Sequence, residues 1–353
     1  MEKIKKFYKN KKVLVTGATG FKGSWLCIWL LNLGAKVYAT GYNPNKNKTL
    51  FNSLKLSKKT HLKIFDIRDF NKIDDLIKKT KPQIIFHLAA QPLVIDSYKK
   101  PYLTFDINFR GTLNILEAAK KYNFIKSVIC VTSDKCYENT GKIKGYKETD
   151  MLGGVDPYSA SKASAELLIR SYIESFFRLS NCGLSSVRAG NVIGGGDWSN
   201  NRLIPDCIRS LSKNKKILLR NPNFSRPWQL VLEPLKGYLF LAKKQFEEPL
   251  KFSGAWNFGT ETKNSVSVKK IVELIINFWG NGKVKLLNKN KFHEQQNLQI
   301  DSSKAKKLLS WKTTYNTKKA VEVTTEWYSK ILRSKKSAED VTKQQIKEYM
   351  KCS

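Results

Sequence analysis

The chain has 353 residues, enough for one large α/β domain or two linked lobes with an ample core. Its 64 lysines and arginines against 29 acidic residues give a formal net charge of +35. The lysines are scattered through every segment rather than gathered into one stripe with interleaved aromatics, so a solvated basic surface is expected and no nucleic-acid partner.

No window is long and apolar enough for a membrane span, and no membrane partner is expected. Cys27, Cys130, Cys136, Cys182, Cys207 and Cys352 lack metal-type spacing, so no metal is expected and they read as reduced thiols in a cytoplasmic protein. The lysine-rich start, Met1 to Lys12, runs straight into a strand and carries no signal-peptide pattern. Val13 to Thr16 is that strand, and a glycine turn follows it. Phe21 to Leu33 is an apolar helix stopped by Gly34. Strands are expected at Lys36 to Thr40, Leu62 to Phe65 and Gln83 to Leu88, with helical periodicity over Asp69 to Lys79. A long helix from about Tyr102 to Tyr122 precedes the strand Ser127 to Thr132. Helix Pro157 to Leu179 follows, with Pro157 in its first turn, and then the strand Leu184 to Arg188. This alternation implies a doubly wound parallel sheet, Rossmann-like in plan.

Beyond about Gly190 the rhythm breaks into shorter elements, including a strand at Ile217 to Leu219 and a helix at Val268 to Trp279. Residues 1–190 therefore read as a dinucleotide-binding domain and 191–332 as mainly a smaller α/β substrate lobe, some of whose segments return to the first domain. Residues 333–353 read as a polar, peripheral helical tail.

Three features carry chemistry. Gly17, Gly20 and Gly23 follow a strand and open a helix, the setting in which glycines allow a tight turn, close approach to a pyrophosphate and helix–sheet packing. Asp66, past the third strand, is placed to accept from an adenine amino group. The second strand ends Thr40-Gly41-Tyr42, without the acid that takes both ribose hydroxyls, so NAD and NADP both stay open on chemistry. Tyr158 and Lys162 lie one helical turn apart. A tyrosine at its ordinary pKa of about 10 is a poor base, and a neighbouring ammonium together with a nicotinamide's charge favours the phenolate. Ser133, at the end of the fifth strand, can donate to the same substrate oxygen.

These residues resemble the extended short-chain dehydrogenase/reductase family over nearly the whole chain. Supporting segments are His87-Leu88-Ala89-Ala90-Gln91, Asn108-Phe109-Arg110-Gly111-Thr112 and Ser133-Asp134-Lys135-Cys136-Tyr137. An acid at 134 is similar to the family's sugar-nucleotide dehydratases, and lysine at 135 looks like those acting on CDP-glucose. Gly20 to Leu26, Arg188 to Trp198, Arg202 to Asp206 and Arg226 to Gln229 agree with that closer match. Leu230 and Ile95 depart from it, standing where the CDP-glucose pattern has histidine and arginine.

The resemblance implies NAD as cofactor, held also by Phe21, Ile67, Leu88, Ala89, Ala90, Tyr158 and Lys162. It implies C4 oxidation of a nucleotide-linked hexose, loss of water across C5 and C6, and hydride return to C6. Asp134 and Lys135 would serve as the acid and base of the elimination. Substrate contacts would come from Gln91, Asn191, Arg202, Leu203, Arg220, Arg226 and, in the segment His293-Glu294, Glu294. A homodimer or higher homo-oligomer paired through the two long helices is expected in the same way. A 4-epimerase, a dehydratase of another nucleotide-linked hexose, or a non-catalytic dinucleotide-binding regulator would share many of these residues.

Overall fold

Short β-branched, apolar runs between turns settle as strands buried on both faces of a parallel sheet. The computed structural model describes residues 1–42, 49–142, 144–219, 221–260, 265–286 and 298–353. Its strands in chain order are β1 (Lys12–Thr16), β2 (Lys36–Gly41), β3 (His61–Ile64), β4 (Ile84–His87), β5 (Ser127–Val131) and β6 (Gly183–Ala189). The short β7 (Val192–Ile193), β8 (Ile217–Leu219), β9 (Ser225–Arg226) and β10 (Gln229–Leu230) follow, then β11 (Gly254–Phe258), β12 (Val266–Ser267) and β13 (Val284–Leu286).

Seven of these form one parallel sheet in the order β11-β6-β5-β4-β1-β2-β3. The chain steps outward from β1 to β3, then returns to lay β4 on the other side of β1. That reversal opens a crevice at the strands' carboxyl ends, where such sheets take their ligands. Register fixes what meets there: Thr16 pairs with His87, so the turn after β1 and the loop after β4 emerge side by side.

The helix after β1 spans Phe21–Asn32 and is apolar on every side, with Trp25, Leu26, Cys27, Ile28, Trp29 and Leu30 buried. A helix of that kind needs cover on its outer face. The chain supplies it with the helix Ala338–Cys352, whose Val341, Ile346 and Tyr349 are buried. The Tyr349 ring meets Trp29 edge-on at 5.9 Å, and its hydroxyl donates to Glu233 Oε2 at 2.6 Å. The tail expected to be peripheral is therefore a docked element. Its apolar residues recur at helical spacing, which a count of its polar residues conceals. The lysine-rich start likewise forms a helix, Glu2–Tyr8, anchored where the Tyr8 hydroxyl donates to Leu239 O at 2.9 Å.

Each of the two long helices contains a wider turn. Pro101–Phe105 passes through a π-turn at Asp106–Arg110 into Gly111–Lys120, and Pro157–Tyr172 ends in another at Ile173–Phe177. The sequence reading had segments of the second lobe return to the first domain without placing a strand among them: after the chain has built much of that lobe, β11 returns to pair with β6 from Gly254↔Ser185 to Phe258↔Ala189.

Candidate active site

The turn after β1 forms the floor of the crevice. Gly17 sits at φ +67, and a Cβ on it would lie 2.6 Å from Ala89 N, so no larger residue fits between the two strand ends. A Cβ on Gly23 would lie 2.2 Å from Gly17 O; its absence lets the helix sit directly on the turn. Above Gly20 the space is open: a Cβ there would meet only Gly17 O, at 3.3 Å. Bare backbone at a helix start, with room above it, fits a diphosphate.

His87 ties the floor together, its ring nitrogens 2.7 Å from Thr16 Oγ1 and 3.2 Å from Thr112 Oγ1. Burial, assisted by Lys162, pushes its pKa down to about 3, so it stays a neutral anchor. The Ala89 amide donates to the same Thr16 hydroxyl at 3.2 Å. Leu88, Ala89 and Ala90 thus line the crevice beside Gly17. Asp66 lies two residues beyond β3, gripped by Arg68 through its amide (2.9 Å), Nε (3.0 Å) and NH2 (2.7 Å). These contacts hold its carboxyl below the ordinary value. Ile67 is buried, and its carbonyl accepts from Asn114 Nδ2 at 3.1 Å.

Ser133 begins the helical turn Asp134–Cys136 at the end of β5. Its Oγ donates to Asp134 Oδ1 at 2.9 Å and accepts from the Lys135 amide at 3.2 Å. The helix Pro157–Tyr172 starts where Asp156 accepts from the Ser159 amide at 3.0 Å. That start turns Tyr158 and Lys162 inward, at 9% and 5% exposure, and the Tyr158 hydroxyl is hydrogen-bonded to Ser133. Lys162 Nζ donates to Val131 O at 3.2 Å. Five residues expected to act together, Ser133, Asp134, Lys135, Tyr158 and Lys162, therefore occupy one face of the crevice.

Burial is the largest influence on the protonation of Tyr158 and Lys162. Burial pushes the Tyr158 phenol up to about 12, against the opposing effects of the Ser133 hydrogen bond and Arg202. Burial also pushes the Lys162 ammonium down to about 8, partly offset by Glu166. Desolvation is the largest single influence on this phenol. Asp134 is raised as well, again by burial, against Lys135, Ser133 and Lys22. A buried carboxyl so placed keeps its proton more readily than an exposed one.

Behind the catalytic face lies a buried ionic network that sequence reasoning missed. Glu166 stands one turn beyond Lys162 on the same helix face. It accepts from Arg188 Nε at 2.9 Å, Arg188 NH2 at 2.6 Å, Ser186 Oγ at 2.6 Å and the Thr132 hydroxyl. Arg188 NH1 donates in turn to the Tyr137 hydroxyl at 2.6 Å. The spacing Tyr158, Lys162, Glu166 was the available signal. A cavity of about 870 Å³, lined by Glu148, Leu152, Arg188, Ala255 and Lys304 among others, abuts the far side of this network and includes none of Ser133, Asp134, Lys135, Tyr158 and Lys162.

The second lobe meets the crevice through the segment after β6. A Cβ on Gly194 would lie 3.1 Å from the Phe21 ring, and one on Gly190 would lie 3.6 Å from Asp134 Oδ2. Arg202 precedes the helix Leu203–Leu211, holds Asp197 at 3.0 Å and acts electrostatically on Tyr158 and Lys22. Asn191 accepts from the Gln229 amide through its carbonyl at 3.0 Å. Arg226, on β9, donates to Ser225 O at 3.1 Å and lies against the Phe224 ring, 5.6 Å from its centre. Gln91 spends its side chain on its own loop, donating to Leu93 O at 3.1 Å and Thr104 Oγ1 at 2.9 Å. Arg220, His293 and Glu294 lie outside the described residues. Leu230 is buried where β10 pairs with β7, so an apolar residue there serves packing.

A reversed parallel sheet with a glycine cradle at the reversal and a buried serine–tyrosine–lysine set beside it defines a dinucleotide-dependent enzyme of the short-chain dehydrogenase type. A sequence model described as GDP-mannose 4,6 dehydratase matches residues 14–324. CDP-glucose 4,6-dehydratase of Salmonella typhimurium is 42% identical over 355 residues, 98% of each chain. Among solved structures, dTDP-glucose 4,6-dehydratase from Bacillus anthracis in complex with NAD superposes with TM-score 0.75 at 23% identity, covering 91% of this chain and 97% of that one. An epimerase from Methanothermobacter thermautotrophicus superposes with TM-score 0.80 at 21% identity, covering 94% and 97%. The chain belongs to the GDP-mannose 4,6 dehydratase family of sugar-nucleotide enzymes.

Proposed function

We propose that this chain dehydrates CDP-D-glucose to CDP-4-dehydro-6-deoxy-D-glucose with NAD as a recycled cofactor. The observation that carries the reading is Asp134: a buried carboxyl with raised proton affinity, hydrogen-bonded to Ser133, beside Tyr158 and Lys162. An oxidation site needs no such acid, whereas loss of a hydroxyl does. The full-length likeness to a CDP-glucose 4,6-dehydratase supports the nucleotide and the sugar.

NAD would be held by the turn at Gly17, Gly20, Phe21 and Gly23, by Asp66 and Ile67, by Leu88 to Ala90, and by Tyr158 and Lys162. When bound, it would supply the reversible two-electron acceptor and a positive charge beside the phenol. Tyr158 takes the proton of the sugar 4-hydroxyl while Ser133 steadies that oxygen. The resulting ketone acidifies C5–H. Lys135 removes the C5 proton, and Asp134 gives its own to the departing 6-hydroxyl, which leaves as water. Burial keeps the Asp134 proton available for this step, against the opposing pull of Lys135.

Residues 1–190 serve chiefly the cofactor and 191–332 chiefly the substrate, with Asn191, Arg202, Leu203 and Arg226 contacting the nucleotide sugar. The protein works in the cytoplasm as a homodimer, feeding deoxysugars toward cell-surface polysaccharide. The helices Pro101–Phe105 and Pro157–Tyr172 support the dimer. Around them Tyr102, Phe105 and Phe109 stay exposed and form a shallow groove with Ser164.

The test is to incubate the purified protein with NAD and CDP-, dTDP-, UDP- or GDP-glucose and weigh the products. Loss of one water from the CDP sugar is expected. Unchanged mass with altered stereochemistry would replace the reading with epimerisation, and preference for another nucleotide would replace the substrate.

A further inference from the structure

Asp134 and Lys135 ride on a single helical turn, Asp134–Cys136, which is too short to hold its own shape. Its internal bonds are long: the Cys136 amide donates to Ser133 O at 3.3 Å and the Tyr137 amide to Asp134 O at 3.4 Å. The aim of the two side chains therefore depends on what grips the ends of the turn. At the leading end, the Thr132 amide donates to Val187 O at 3.0 Å, and its hydroxyl donates to the Glu166 carboxylate. At the trailing end stands Tyr137, fully buried. Its hydroxyl accepts from Arg188 NH1 at 2.6 Å and donates to Asn257 Oδ1 at 2.8 Å.

Both grips end on one buried ion pair, since Glu166 and Arg188 hold each other. Thr132 reaches the carboxylate and Tyr137 the guanidinium, so the turn is bracketed from both sides. Asn257 extends the trailing grip to β11, the strand that returns from the second lobe. Its Nδ2 donates to Tyr146 O at 2.8 Å and to Asp301 O at 3.0 Å, and the Tyr146 ring stacks on that of Tyr137 at 5.2 Å. The Gly153 amide steadies the backbone here, donating to Cys136 O at 2.8 Å, but it ties the turn to a neighbouring loop. The Tyr137 hydroxyl supplies a polar tie, through Arg188 and Glu166, to the helix that carries Tyr158 and Lys162. Burial raises the Tyr137 phenol, so it keeps its proton and goes on donating to Asn257.

We propose that Tyr137 is a positioning residue for the elimination: its hydroxyl, held between Arg188 and Asn257, fixes the trailing end of the turn and so aims Lys135 at C5 and Asp134 at the 6-hydroxyl. This rests on the functional reading above for the roles of those two residues. The oxidation is spared by the same geometry. Tyr158 is bonded to Ser133, which adjoins the Thr132 grip, and Lys162 holds Val131 O at 3.2 Å. None of these contacts passes through Tyr137.

Tyr137→Phe removes the hydroxyl and keeps the ring. In single turnovers with CDP-glucose and NAD, loss of water and deuterium exchange at C5 should slow by about ten- to a hundred-fold, as a small misplacement of reacting groups costs. Reduced cofactor should form within about two-fold of the parent's rate and then accumulate, because its formation precedes the slowed step. Partial unfolding would lower both rates alike. A second measurement needs no substrate: amide hydrogen exchange, read by mass spectrometry, should quicken across the turn Asp134–Cys136 and stay unchanged along the helix Pro157–Tyr172. Equal slowing of oxidation and water loss, no slowing of either, or unaltered exchange at the turn would overturn the proposal. If the parent leaves CDP-glucose unreacted while Tyr137→Phe still loosens the turn, the anchor stands and the substrate reading falls.

Discussion

Replacing Glu166 with glutamine tests whether the hidden network supports the catalytic face. Glu166 and Arg188 are 3% and 2% exposed, and the carboxylate accepts two hydrogen bonds from Arg188 besides those from Ser186 and Thr132. Removing one partner of a buried pair strands the other charge, at a cost of about 3–5 kcal/mol. Glutamine retains the shape and one acceptor oxygen, so the lower end, about 3 kcal/mol, is expected. For a chain this long that corresponds to a fall in Tm of about 4 °C. The assay is urea unfolding followed by circular dichroism, with a thermal scan alongside.

The pH dependence checks the cause. Burial raises the Glu166 carboxyl, but Arg188 and the hydrogen bonds from Arg188, Ser186 and Thr132 together bring it below its ordinary value of 4.5. A lowered pKa stabilises the fold above 4.5 and loses that contribution as pH falls through the native value. The gap between parent and variant should therefore narrow below pH 4.5, and the double change with Arg188→Met should recover part of the loss. Because Thr132 adjoins Ser133 and Glu166 offsets the burial of Lys162, kcat should fall as well. A loss under about 1 kcal/mol, with no narrowing in acid, would refute the reasoning.

Other outcomes follow from the same geometry. Tyr158→Phe should cut kcat by about 10²–10⁴ while NAD still binds, measured by single-turnover absorbance and fluorescence titration. Asp134→Asn and Lys135→Met should both slow water loss, but only Lys135→Met should also suppress deuterium exchange at C5, read by mass spectrometry in heavy water. Gly17→Ala should cost at least about 1–2 kcal/mol from the left-handed φ alone, with further loss from the contact at Ala89, seen in urea unfolding. Phe109→Glu should yield monomers in light scattering, since a charge on the groove beside Tyr102 and Phe105 opposes pairing.

The first half of the fold was legible because strand and helix periods alternate cleanly up to β6. Glycines at 17, 20 and 23, with Tyr158 and Lys162, carry backbone and proton chemistry that few other residues supply, so they announce the site. What was not legible depends on distance in sequence. β11 is a short run whose strand character comes from pairing with β6, some seventy positions earlier. The Glu166–Arg188 network joins residues that look like ordinary surface charges until the sheet buries them. The depth at which Tyr158 lies, which by itself raises the phenol, also escaped the sequence pattern.

The return of β11 has a consequence for how the molecule can be taken apart. A fragment cut after residue 190 would keep the glycine turn, Tyr158 and Lys162, yet leave the outer rim of β6 with its peptide groups bare along the whole of Ser185 to Ala189. Such a rim recruits other chains. The nucleotide half should therefore resist excision as a free-standing module, and melting of either lobe should drag the other with it in a single transition.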